Sequence, residues 1–137
     1  MAKNDEAALQ AAIVTFVRTV SPDVLIFHPP NGGLRSKREA AKLKWMGVVA
    51  GIPDLILWYD NGKTACWEVK MPGRGLSKDQ GLVASWLELS GFPWFLIRSI
   101  DDARDALAEL GIETRESTND HLDRGTHRQA RGFVEKF

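Results

Sequence analysis

The sequence predicts an α/β protein: a mixed sheet flanked by helices, with its functional groups gathered at one end of the sheet. Three observations carry that prediction. Helical and extended patterns follow one another as helix, strand, helix, strand-turn-strand, helix, strand, helix, an order that covers a sheet with helices. Two apolar runs, Leu55 to Tyr59 and Thr64 to Val69, flank Asp60-Asn61-Gly62. An Asn-Gly pair at that place signals a hairpin, because a tight primed turn needs two residues that tolerate positive φ. Folding the ribbon back sets Asp54, which opens the first strand, beside Glu68 and Lys70, which close the second. Glu68 and Lys70 are two apart and so share a face.

The elements follow in order. Asn4 or Asp5 can cap a first helix, whose apolar residues Leu9, Ile13, Phe16, Val17 and Val20 recur at helical spacing. Ser21-Pro22-Asp23 stops it. Glu6 falls in the first turn, where an acidic side chain complements the positive end of the helix dipole. Val24 to Phe27 reads as a short strand that His28 finishes. His28-Pro29-Pro30-Asn31-Gly32-Gly33 cannot be regular structure, and its glycines lack the spacing of a Walker or dinucleotide loop. Ser36 then caps a second helix, Lys37 to Met46, around which Arg35, Lys37, Arg38, Lys42 and Lys44 are opposed only by Glu39. Such a run is either a solvated face or a surface that neutralises phosphates. Trp45 and Met46 are expected to pack inward, and Gly47 to end the helix as its C-terminal cap.

After the hairpin, the Met71 to Leu76 loop is glycine-rich and weakly basic through Arg74. Ser77 caps a third helix with Leu82, Val83, Trp86, Leu87 and Leu89 as its apolar face, and Gln80 lies one turn in. Gly91-Phe92-Pro93 turns the chain into a strand, Trp94 to Ile97, and Asp101 starts a last helix through Ala103, Ala106, Leu107 and Leu110. From Glu113 the chain is almost wholly polar and is expected to be mobile. The expected division is therefore a domain over 1–112 and a tail over 113–137. His121 and His127 have no cysteine partner in a ligand pattern, so they do not read as a zinc site.

With 44% hydrophobic and 26% charged residues, 137 residues suit one domain with a single core. The formal net charge is zero, so a phosphate-binding surface must come from local segregation of charge. Cys66 is the one cysteine, which excludes an intrachain disulfide and any dependence on an oxidising compartment. No signal region or membrane-spanning run is visible, so the expected setting is the cytoplasm.

The charges at the hairpin end need a reason, since buried charges are costly unless paired or bound to metal. One reading is a salt bridge between Lys70 and a carboxylate at a sheet edge. The other is a magnesium site: Asp54, Glu68 and the carbonyl of Val69 suit a hard, oxygen-seeking cation, and Lys70 can orient or deprotonate an attacking water.

Pro53-Asp54 followed by Glu68-Val69-Lys70 resembles the PD-(D/E)XK nuclease signature, with Val69 as the X. Met46 to Leu55, Trp67 to Lys70 and Leu76 to Gln80 further resemble its VRR-Nuc branch, particularly the small stand-alone members from phages and bacteria. The resemblance runs roughly from Asp5 to Ala108. It implies the restriction-endonuclease-like mixed sheet and a deoxyribonuclease that uses magnesium, with manganese able to substitute. Glu6, Asp54, Glu68 and the Val69 carbonyl would hold the metal, Glu6 because Glu6-Ala7-Ala8-Leu9-Gln10 fits a first-helix glutamate that reaches the site. Asp54, Glu68, Lys70 and Gln80 would carry catalysis, Lys70 orienting the water and Gln80 the phosphate. DNA would lie along Asn31, Arg35, Lys37, Arg38, Lys42, Lys44 and Arg74, and the His28 loop would border the site.

The same likeness implies a homodimer acting on branched DNA, in the manner of Holliday-junction resolvases, inside a bacterial or phage-infected cell. Trp58, Trp94 and Phe133-Val134-Phe137 are spare apolar residues that could make the contact. The rival readings are a non-catalytic DNA-binding module, a nuclease without branch preference, and an assembly protein whose tail makes contacts. A binder has no need of a carboxylate pair facing phosphates.

Overall fold

In the first helix, Ile13, Val17 and Val20 repeat on one stripe and are all buried. That helix is α1 (Lys3–Val20) in the computed structural model, which describes residues 3–30 and 36–116. Because α1 begins at Lys3, Asp5 and Glu6 occupy its first turn and the expected cap at Asn4 or Asp5 is displaced into the helix. The remaining elements are β1 (Leu25–Phe27), α2 (Lys37–Trp45), β2 (Leu55–Tyr59), β3 (Lys63–Val69), α3 (Lys78–Leu89), β4 (Trp94–Ile97) and α4 (Ile100–Glu109). Serines do the capping: Ser36, Ser77 and Ser99 accept the N–H of Glu39, Gln80 and Asp102. The last helix therefore starts from Ser99, ahead of the expected Asp101.

The sheet order is β1-β2-β3-β4. The first three strands run antiparallel and β4 pairs parallel to β3, so the chain needs a crossover, which α3 provides. Tyr59 pairs with Lys63, making the hairpin loop the three residues 60–62. Its positive-φ residues are Asp60 (47°) and Gly62 (81°). The expected pair was Asn61 and Gly62. The strand resumes at Lys63, one residue before Thr64, and the three-residue loop needs its left-handed glycine only at the last place.

Leu55, Leu57, Ala65, Trp67, Val69 and Ile97 form one sheet face and make the main core with α1 and with Ala103, Ala106 and Leu107 of α4. Strand alternation sends Cys66 and Glu68 to the other face, where both are buried. Burial pushes the Cys66 thiol up, so this cysteine is an inert core residue.

Two expectations about apolar packing are corrected. Trp45 and Met46 do not pack inward; they are 86% and 62% exposed, and α2 buries no residue at all. A nine-residue helix with lysine or arginine at four positions has no stripe wide enough to bury. On α3 only part of the expected apolar face turns in. Ala84 and Leu87 are buried, whereas Leu82, Trp86 and Leu89 are exposed. Gln80, Val83, Ala84 and Leu87 form one stripe, and Leu82, Trp86 and Leu89 a second on the far side. One sheet can cover only one of them.

Trp58 is half exposed and meets Phe27 edge-on at 4.8 Å, while Trp94 is partly buried. Past Ile112 the chain stays with the body through Glu116. The Ser21 hydroxyl donates to the Glu113 carbonyl (2.8 Å), the Arg115 N–H to that of Val20 (2.8 Å), and Arg104 pairs with Asp101 and Glu116. The expected DNA contacts Asn31 and Arg35, and the rest of the expected tail with His121, His127 and Phe133-Val134-Phe137, lie outside the described residues. Among the described residues no helix is long and apolar enough to cross a membrane.

Candidate active site

Leu55 pairs with Trp67 across the hairpin, so Asp54 comes one step further, beside Glu68. The contact is direct. The Val69 N–H donates to Asp54 Oδ2 at 2.8 Å, tying the start of β2 to the end of β3. Glu68 is 1% exposed and shares a hydrogen bond with the Asp54 side chain. Its carboxyl is pushed up to about 9. Burial is the largest cause, followed by the hydrogen bond to Asp54 and the Asp54 charge; Lys70 opposes the rise and Glu6 adds to it. These causes together favour the protonated form of Glu68.

The third support comes from α3. Ser77 and Gln80 form a capping box: the Gln80 N–H donates to Ser77 Oγ, and the Ser77 N–H to Gln80 Oε1 at 2.9 Å. That leaves the Gln80 amide nitrogen free to turn toward the sheet, where Nε2 donates to Glu68 Oε1 at 2.9 Å. The sequence Ser77-Lys78-Asp79-Gln80 is a capping-box signature, and it could have told in advance that Gln80 is held rigidly. Gly51 fits against the same turn. With φ at +86°, a Cβ there would fall 2.4 Å from the Asp79 carbonyl carbon and oxygen, so the approach requires glycine. The Nδ1 hydrogen of His28 is donated to the Asp54 carbonyl at 2.5 Å. That bond fixes the tautomer with Nδ1 protonated, which reading His28 as the end of a strand did not foresee.

Glu6, Asp54, Glu68, Val69, Lys70 and Gln80 thus share one place at the sheet end. Lys37, Arg38, Lys42 and Lys44 are all exposed on α2, as Arg74 is in the loop after β3. Among the described residues no three His, Cys, Asp or Glu side chains form a ready cage for a metal ion; Asp54 accepts from the Val69 N–H and Glu68 from Gln80. The donor set itself fits a hard divalent cation. Two adjoining carboxyls, one so disfavoured as an anion that it keeps its proton to about 9, are the groups that gain most from a doubly positive neighbour.

A model of the VRR-NUC domain matches residues 6–100. Among solved structures, a VRR_NUC domain protein superposes with a TM-score of 0.62, covering 80% of this chain and 89% of its own at 22% identity. At that identity the likeness shows the fold. No curated protein matches.

Proposed function

Because the chain belongs to the VRR-NUC family of PD-(D/E)XK nuclease domains, we propose that it hydrolyses DNA phosphodiester bonds with a divalent metal, magnesium or manganese, at the Asp54–Glu68 pair. The observation that supports this is Glu68, an acid buried to 1% exposure against a second acid, with Lys70 beside it. A merely structural ion pair would not bury a carboxyl against a second one.

Asp54, Glu68, Glu6 and the Val69 carbonyl would hold the metal, which when bound stabilises charge on the phosphate and supplies several kcal/mol to the reaction. The chain's own groups do the positioning. The Val69 N–H and the His28-bound carbonyl fix Asp54 from both ends. Gln80 orients Glu68, and its second amide hydrogen is available to a phosphate oxygen or water. Lys70 holds the attacking water and offsets negative charge as the bond breaks. Exposed Lys37, Arg38, Lys42, Lys44 and Arg74 neutralise flanking phosphates.

The reading extends to a homodimer that nicks four-way junctions in pairs, because a two-fold substrate is matched by a two-fold enzyme. The exposed stripe of Leu82, Trp86 and Leu89, with Phe92 stacked on Trp86 at 6.1 Å, is apolar surface of the kind that such contacts bury. Junctions, flaps, forks and plain duplexes, each assayed with magnesium and with chelator, test the proposal. Cleavage that needs the metal and prefers the branch supports it. Cleavage that survives chelation defeats the metal site, and even degradation of duplex leaves a general nuclease. A monomer mass at micromolar concentration would remove the dimer.

A further inference from the structure

Trp45 closes α2 with 86% of its surface in water, and Met46 after it is 62% exposed. Packing gives no reason for an indole there, because α2 buries nothing. Single exposed apolar residues are ordinary, but this one ends a helix carrying Lys37, Arg38, Lys42 and Lys44 against a lone Glu39. Cations in a row with an aromatic face beside them make the surface that takes unpaired nucleic acid. The cations follow the phosphates, and the ring stacks on a base whatever its identity. Four cations beside the ring favour a polyanion as its partner over a purely apolar contact.

The position of Trp45 relative to the acid pair is also constrained. It stands six positions before Gly51, whose backbone is pressed against the Asp79-Gln80 peptide, and Gln80 holds Glu68. Six steps of chain reach at most about 20 Å. A base stacked on Trp45 would therefore hold its strand within that reach of the turn that carries Gln80.

We propose that Trp45 is a stacking platform for an unpaired base of the DNA substrate, at a branch or a frayed end, with the cations of α2 neutralising phosphates of the flanking strand. The inference rests on the nuclease reading and names the feature of the substrate that is recognised: an exposed base face.

The test uses the full chain as wild type, Trp45→Ala and Trp45→Phe. The probes are a flap with a fluorescent base analogue at its first unpaired position and a duplex of matched length. Trp45→Ala is expected to weaken flap binding roughly 5- to 150-fold, the span of one base–aromatic stack. Duplex cleavage should persist, analogue quenching should disappear, and the cut sites on the flap should spread. Trp45→Phe should restore most of each. Flap affinity and cut sites unchanged in Trp45→Ala, while wild type cuts, overturn this inference alone. Loss of self-association in Trp45→Ala with flap affinity unchanged would assign the residue to a second copy of the chain and also overturn it. A wild type that neither binds nor cuts any DNA overturns the nuclease reading and this inference together.

Discussion

The end of the β2–β3 hairpin and helix α2 differ in both charge and burial. The first holds Asp54 and Glu68, with Glu68 1% exposed. The second holds Lys37, Arg38, Lys42 and Lys44 and buries nothing. Their sum is hidden in a net charge of zero. Burial decides what each charge can mean. A buried acid beside a second acid is costly to the fold, so it stays only where its chemistry is used. An exposed basic helix costs the fold almost nothing, so its charges are free to serve association.

If the acid end is the chemical centre, the largest effects come from there. Asp54→Ala and Glu68→Gln are each expected to lower junction cleavage about 10²- to 10³-fold, by analogy with removal of one group that stabilises the transition state. Their near-ultraviolet circular dichroism should stay native. Activity within tenfold of wild type in either variant would move the site elsewhere.

The second effect is on stability. Glu68 has its folded value raised to about 9 from the ordinary 4.5, so the folded state holds an extra proton between those values. The stabilising contribution is fully present below about 4.5 and is lost as pH rises through about 9. With chelator present, unfolding free energy should have fallen by about 3 kcal/mol at pH 7 relative to low pH. Urea titrations of wild type and Glu68→Gln across pH 5–9 isolate this component, because the variant lacks it. Parallel curves would mean that Glu68 is not buried as a neutral acid.

How these two regions differ in legibility follows from what determines each. The hairpin end was readable because pairing parity and a turn signal place Asp54, Glu68 and Lys70 whatever packs on them. The fold class was readable from the same element order, now matched by a four-stranded mixed sheet. Trp45 was misread because its direction depends on whether α2 meets the body at all, which no local pattern states. Leu82, Trp86 and Leu89 were merged with Leu87 for a related reason. Apolar residues on both sides of α3 leave open which stripe the sheet will cover.

Gly51 joins the two regions, and its replacement should have the third effect. Gly51→Ala places a methyl group 2.4 Å from backbone atoms of Asp79 at a φ of +86°. It should cost at least about 2 kcal/mol of stability and displace Gln80 from Glu68. Denaturant titration gives the first quantity. Junction cleavage under conditions where the variant remains folded reports the second. A variant as stable and active as wild type would show that α2 and the acid end are not coupled through this turn.

The smallest effect separates the basic helix from the site most cleanly. Arg38 and Lys42 are four apart on α2 and both exposed, so they lie on one face, at the spacing that tracks a strand. Neither touches the core, and the double change to alanine should leave the fold intact and raise helix propensity slightly. Each cation that neutralises a phosphate releases counterions and adds about 0.9 to the slope of log affinity against log salt on duplex DNA. Removing both should flatten that slope by roughly 2. At saturating DNA the rate of bond cleavage should be unchanged, because the acid end is untouched. Binding isotherms from low to moderate salt, paired with single-turnover cleavage, give both quantities. An unaltered slope would place the DNA on another face. A slope that flattens while single-turnover cleavage also collapses would mean that α2 takes part in chemistry, and the division of labour between the two regions would be wrong.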